Sequence, residues 1–237
     1  MNKYLTIFSL FLSAVSFSQE DKKATFDELK KEKSKEVVFA QKAIVELHDS
    51  AALFVRINMR EDEIAYYLKH GNEKGAEKTR KKQEEENKLI VEAFQGYHKF
   101  SPIYFYNRAD SRKLLEYGTD SVVFLNSDLK PDSSINISYN KYYVAEFNEL
   151  QQDTNSYYAT SLPNTAREDG LEEYHYGSPH IAQKGLLLMD RNYVQIMRPF
   201  PSFKKYEFFV NDNKKYYVAV RDWNLDLESY YKFVSGK

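Results

Sequence analysis

Three kinds of hydrophobic pattern follow one another along the chain. From Leu5 to Phe17 apolar residues run together, broken only by Thr6, Ser9, Ser13 and Ser16, with Lys3 ahead of them. Such a run is too short to span a bilayer and has the length of a signal-peptide core. Ser16 and Ser18 fall at the −3 and −1 positions of a cut before Gln19. A buried amino-terminal helix would need a polar face, and this run has none. Residues 1–18 are therefore expected to be a leader. The mature chain is expected to be soluble, in a periplasm or outside the cell.

The second pattern has a helical period. Val37, Ala40, Ile44, Leu47, Ala51 and Phe54 recur at steps of three and four, which keeps one stripe facing a partner. Asn58 interrupts the stripe and, with Glu61, fits a capping box. Ile64, Tyr67 and Leu68 extend the apolar face, and Gly71 reads as a terminator after Lys69 and His70. A second helix is predicted from about Glu73 to Phe94, closing at Gly96. It has no large apolar residue between Glu77 and Lys88. Pairs such as Glu77–Lys81, Arg80–Glu84 and Glu84–Lys88 support it, each contributing roughly 0.2–0.5 kcal/mol. The pattern predicts an antiparallel helical hairpin whose polar tip extends away from the core.

Beyond residue 100 the pattern becomes short apolar runs between turn residues, the signature of strands. The predicted strands are Ile103–Tyr106, Val122–Leu125, Tyr142–Phe147, Gly185–Met189, Tyr193–Met197, Tyr206–Val210 and Tyr216–Val220. A helix from Ser111 to Tyr117, ended by Gly118, separates the first two. That spacing allows a crossover between parallel neighbours or an antiparallel pair joined by a helix. The last four runs read as two hairpins parted by Pro199 and Pro201. Asn224–Val234 reads as a short amphipathic helix stopped by Gly236. Gln151 to Lys184 is polar, with few apolar anchors, and reads as a long loop. The expected fold is α+β, with an α/β arrangement in part if the first two strands run parallel. In it an amino-terminal helical hairpin packs on a mixed, mostly antiparallel sheet of six to seven strands.

Composition sharpens this division. Of the 81 residues from Glu20 to Phe100, 34 are charged, against 34 of the 137 that follow. All six prolines and 16 of the 20 tyrosines lie beyond residue 100. The expected organisation is a leader (1–18), a helical hairpin region (19–100) and a Tyr-rich α+β sheet domain (101–237). Lys plus Arg is 34 and Asp plus Glu 35, a net charge of −1, which excludes nucleic-acid binding through bulk charge. The charge run from Lys78 to Lys88 cancels itself and reads as a solvated helix face. No stretch after the leader is long and apolar enough to span a membrane. With no cysteine, disulfides, thiolate catalysis and zinc–cysteine or iron–sulfur sites are excluded.

Chemistry is sparse. There is no glycine-rich phosphate loop, no GxSxG elbow and no HExxH helix. The densest cluster lies in the long loop, where Glu172, Tyr174, His175, Tyr176 and His180 fall within nine residues. Its imidazoles and carboxylate are ligands for zinc or another divalent ion, with His175, His180 and Glu172 as the metal set. Local hydrogen bonding in a polar loop accounts for the same residues, because this spacing matches no established ligand pattern. A second cluster follows from position. If Ile103–Tyr106 and Val122–Leu125 are parallel, their carboxyl ends carry Asn107, Arg108, Asp110, Asn126 and Asp128, where open α/β sheets bind ligands. Capping and turn formation explain these residues without a ligand.

The function expected from these features is that of an exported, non-enzymatic binding or interaction protein. Its partner would be a protein, a peptide or a small molecule, and no cofactor is specified. The alternatives are a metal-assisted hydrolase using the His175–His180 loop and a periplasmic sensor-like module. Mass spectrometry of the native protein should find its amino terminus at or near Gln19; an intact Met1 would overturn the leader.

Overall fold

The computed structural model describes residues 35–149, 184–206 and 214–236. The expected leader and the expected loop from Gln151 to Lys184, apart from Lys184 itself, which begins a strand, lie outside them. Within them, helix α1 (35–49) leads into strand β1 (Ala52–Ile57), helices α2 (Glu61–Lys69) and α3 (Glu73–Tyr97), and strand β2 (Ile103–Asn107). After a 3-10 turn come α4 (Ser111–Tyr117), β3 (Tyr142–Glu149), β4 (Lys184–Met189), β5 (Phe203–Lys205) and α5 (Lys215–Ser235). The strands form one mixed sheet in the order β2-β1-β3-β4-β5. β1 is parallel to both β2 and β3, whereas β3–β4 and β4–β5 are antiparallel. The described fold is thus α+β with five strands, not six or seven, and with antiparallel pairing confined to one half.

The amino-terminal hairpin is corrected as well. Ala40, Ile44 and Leu47 form the buried stripe of α1 as their spacing requires, and Val37 lies at its exposed end. Ala51 and Phe54 continue the spacing by coincidence, because Ala52–Ile57 is an extended strand buried on both faces. Asn58 does not form a capping box with Glu61. Its Oδ1 accepts from the Arg60 amide at 2.9 Å, and Arg60 occupies the cap of α2 with φ 51°. Gly71 follows α2 at φ 69°, the left-handed conformation its position calls for.

Strands β2, β3 and β4 lie where their patterns placed them. Val122–Leu125 does not form a strand parallel to β2; Leu125 makes an isolated antiparallel bridge to Phe105. Tyr193–Met197 is likewise reduced to a bridge between Gln195 and Met189. The partner of β4 is instead Phe203–Lys205. Of the expected strand Tyr206–Val210, all but Tyr206 lies outside the described residues. Tyr216–Val220 is the first part of α5, not a strand. Tyr216, Ala219, Val220, Trp223, Leu227 and Tyr231 all lie on its buried side, and that helical period overrides the strand preference of Tyr and Val. The helix ends at Gly236, at φ 70°.

Alternation along the strands divides the core. Leu53, Val55, Ile57, Phe105, Tyr143, Ala145, Leu186 and Leu188 point to one face, covered by α1, α3 and α5. Ala52, Phe54, Tyr106, Val144 and Met189 point to the other, covered by Leu114 of α4 and by Val122 and Phe124. Tyr142 and Tyr143 accordingly send one ring to each side. No helix among the described residues is long and apolar enough to cross a membrane.

His98, at the carboxyl end of α3, is buried with its ring stacked on Trp223 at 5.5 Å. Its Nε2 meets Ser101 Oγ at 3.0 Å, and its Nδ1 has no hydrogen-bond partner among the described residues. Burial, reinforced by the charge of Lys99, lowers its pKa from 6.5 to about 4. The unfolded chain therefore binds this proton near pH 6.5 and the folded chain only near pH 4. Stability falls as pH drops through that window, by about 3 kcal/mol over its full width. His98→Phe should lose less stability than wild type between pH 6.5 and 4 in urea unfolding. Equal losses would show that His98 does not carry the effect.

Candidate functional site

The connections of the parallel strands leave to opposite sides of the sheet. From β1 to β2 the chain passes through α3 on the first face, and from β2 to β3 through α4 and Phe124 on the second. Such a divergence opens a crevice at the carboxyl ends of the strands. A cleft of about 560 Å3 lies there, a volume within the range of small-molecule sites. The ends of β1 and β3, Arg108, α3, the start of α5 and Tyr206 line it.

Pleating brings three charges together at its floor. Arg56 and Glu146 follow the register pair Val55–Ala145, so they are neighbours on the second face. Arg108 stands two residues beyond Tyr106, which pairs with Arg56. Arg56 Nη2 lies 2.5 Å from Glu146 Oε2, and Arg108 Nη1 lies 3.3 Å from Oε1. Asn148 Nδ2 also donates to Oε1, at 3.2 Å. Glu146 is only 4% exposed and Arg56 12%, whereas Arg108 is 44% exposed. Behind Arg56 the ring of Tyr193 lies 5.1 Å from the guanidinium carbon. Tyr193 OH donates to the Ser111 carbonyl at 2.9 Å and accepts from Tyr106 OH at 3.3 Å. Burial, with the neighbouring Tyr193 hydroxyl, pushes the Tyr106 phenol far above its ordinary range, so it serves as a neutral donor.

The wall opposite comes from α3 and α5. Gln83 and Asn87 are buried one turn apart, and Gln83 Nε2 donates to Asn87 Oδ1 at 2.8 Å. Asn87 Nδ2 in turn donates to the Asn58 carbonyl at 2.9 Å, tying the end of β1 to α3. Tyr216 OH donates to Glu86 Oε1 in a short hydrogen bond, and burial drives its pKa upward. Phe147 and Tyr206 stack at 5.7 Å with Tyr216 edge-on to both. A second groove runs outside α1, between Val38 and Lys141. It is open, and it lies by the amino ends of β1 and β3 rather than their carboxyl ends.

Of the residues singled out from sequence, Arg108 lines the cleft. Asn107 does not; its Oδ1 accepts from the Ala109 amide at 3.1 Å and its Nδ2 donates to Glu61 at 2.9 Å. Asp110 accepts from Lys113 at 2.8 Å. Asn126 Oδ1 accepts from the amides of Asp128 and Lys130, closing a turn. Glu172, Tyr174, His175, Tyr176 and His180 lie outside the described residues. Among the described residues no group of three or more His, Asp or Glu side chains is placed to hold a metal.

Arg56, Glu146, Gln83 and Asn87 escaped the sequence reading, although a signal was present. Arg56 is the one charge in β1, and Glu146 interrupts the apolar and aromatic run Tyr142–Phe147 with the opposite sign. Gln83 and Asn87 are two uncharged amides, four apart, within a run of Lys and Glu. Comparison of the chain with models of protein families, with curated proteins and with solved structures gives no match.

The two arms of the ionic network differ in burial, and mutation should separate them. Glu146→Gln strips the mostly buried Arg56 of its counter-charge and should cost about 3–5 kcal/mol in chemical denaturation. Arg108→Gln, at the exposed end, should cost about 1 kcal/mol or less. Similar costs would mean that Glu146 and Arg56 are effectively solvated.

Proposed function

We propose that this chain is an exported, non-enzymatic binding protein whose ligand is a small molecule held in the cleft at the carboxyl ends of β1, β2 and β3. The observation that carries this reading is the position of the cleft, where the connections from β1 and β2 diverge to opposite faces of the sheet. Its rigid surroundings support the same reading, because Asn87 fixes the end of β1 and Tyr193 backs Arg56. Positioned side chains on regular elements lower the ordering cost of binding. Binding is preferred to turnover because the buried carboxylate, Glu146, has both oxygens engaged by guanidinium groups. In that state it offers no lone base or nucleophile to a substrate. Export is supported by Lys3, the Leu5–Phe17 run and the serines at 16 and 18.

Native mass spectrometry of the mature protein, purified from the exported fraction, tests the reading. A small-molecule adduct is expected on the wild-type chain. It should be lost from Leu89→Trp, which fills the cleft from a half-buried position on α3. An adduct that survives this substitution would place the ligand elsewhere.

A further inference from the structure

Resting on that reading of the cleft, we infer that its ligand is neutral and hydroxyl-rich, a monosaccharide held through hydrogen bonds. The state of the charges lining the cleft points to this. Arg56, Lys82 and Arg108 face it against Glu85, Glu86 and Glu146, three of each sign. The other cations there are already engaged. Arg60 is paired with Glu63 at 3.3 Å, Lys215 lies over the rings of Tyr206 and Tyr216, and Lys184 has interactions of its own. The two most buried ions, Arg56 and Glu146, neutralise each other at the floor. A site balanced in this way has no net field to select an ion, and the desolvation of an ion entering it would go uncompensated.

What the cleft presents is hydrogen-bonding capacity of both kinds. Gln83 is 6% exposed and donates through Nε2 to Asn87, while its Oε1 accepts no hydrogen bond among the described residues. Arg108 touches Glu146 through one nitrogen at 3.3 Å, which leaves other donors of its planar fork open. Lys82 and Glu85, exposed and on either side of Gln83 in α3, add a second donor and a second acceptor. Donors and acceptors are thus mixed around one space. A hydroxyl both donates and accepts, so adjacent hydroxyls satisfy such a mixture without bringing charge. An anion would satisfy only the donors, and an ammonium group only the acceptors.

The apolar share of the lining fits the rest of a sugar. Leu89, Phe147 and Tyr206 are half-buried there, surface suited to the C–H face of a pyranose ring. A wholly apolar ligand would strip water from Gln83 and Arg108 and leave them unpaired, which is unfavourable. The polar groups are also held in advance. Asn87 fixes Gln83 and is itself fixed by the Asn58 carbonyl, so little ordering remains to oppose a ligand bound through several weak hydrogen bonds.

Titration of the exported protein with glucose, galactose, mannose and N-acetylglucosamine, followed by ligand-observed NMR, tests this. At least one should bind, and roughly tenfold or more tightly than cyclohexanol, which keeps a six-membered ring but has one hydroxyl. Glucuronate and galacturonate retain the ring hydroxyls and add a charge; they should bind no more tightly than glucose and galactose. Added salt should leave sugar binding unchanged. Arg108→Leu, which removes every donor at a partly exposed position, should weaken the bound sugar roughly tenfold. Glu85→Ala, at an exposed position, should weaken it in the same direction. The inference fails if none of the four sugars binds, or if cyclohexanol binds as tightly as they do. It also fails if an acid binds tenfold more tightly than its parent sugar, or if neither substitution weakens binding. If the Leu89-dependent adduct is present in any of those cases, the cleft remains a binding site of another specificity; if it is absent, both readings fall.

Discussion

Strand β1 must be buried on every side, and most of the described architecture meets that requirement. Leu53, Val55 and Ile57 are covered by helices on one face, and Ala52 and Phe54 by α4 and the segment after it on the other. Its two edges are closed by β2 and β3, both parallel to it. Each large side chain of this strand gains roughly 1.5–3 kcal/mol by leaving water, but only if both layers form. The exposed edges of the sheet are kept short or irregular. β5 has three residues, and β2 is capped by a single bridge from Leu125. Such edges discourage pairing with other chains.

The same alternation that buries β1 produces the charged floor of the cleft. Continuing the Ala52–Phe54 face by two residues places Arg56 where the covering layer ends, and Glu146 and Arg108 reach the same level from the flanking strands. A buried ion pair gains little net stability, since desolvation offsets most of the attraction. Its consequence here is geometric. A strand slipped by one residue would turn Arg56 toward the helix-covered face and away from Glu146, so the pair fixes the register of β1 against β3. The amides of α3 serve the same end by a different route, holding the Asn58 carbonyl where the chain leaves the sheet.

How much of this could be read from the sequence depended on how long each pattern persisted. Helix α3 was legible from its balanced charges and its apolar end, although it runs through Gly96 to Tyr97, and β3 from its apolar and aromatic residues around one glutamate. β1 was hidden because Ala51 and Phe54 extend the helical spacing of α1 by accident, and a short apolar run can be either element. The polar triplet His48-Asp49-Ser50 was the overlooked break. In α5 the Tyr-Tyr-Val-Ala-Val segment carried strand propensity, while the decisive spacing lay further on, at Trp223, Leu227 and Tyr231. At the site, Arg108 was reached by the rule that ligands gather at strand ends. The reasoning named the wrong parallel neighbour, since β2 runs parallel to β1, whereas Leu125 meets β2 only in an antiparallel bridge. Arg56 and Glu146 needed the register between strands distant in sequence, which one chain's pattern does not contain.

That distance has a kinetic meaning. Leu53 pairs with Ile103, fifty positions later, and with Tyr143, ninety positions later. A chain emerging from the ribosome, or threading through a pore, presents β1 long before either partner exists. During that interval the run from Ala52 to Ile57 has two open edges and two apolar faces, and the helices that will cover it are incomplete. Contacts of such long range close slowly, because the loop entropy is lost before any pairing returns it. The charge-dense α2 and α3 that follow directly are well suited to keep this nascent stretch solvated until β3 arrives.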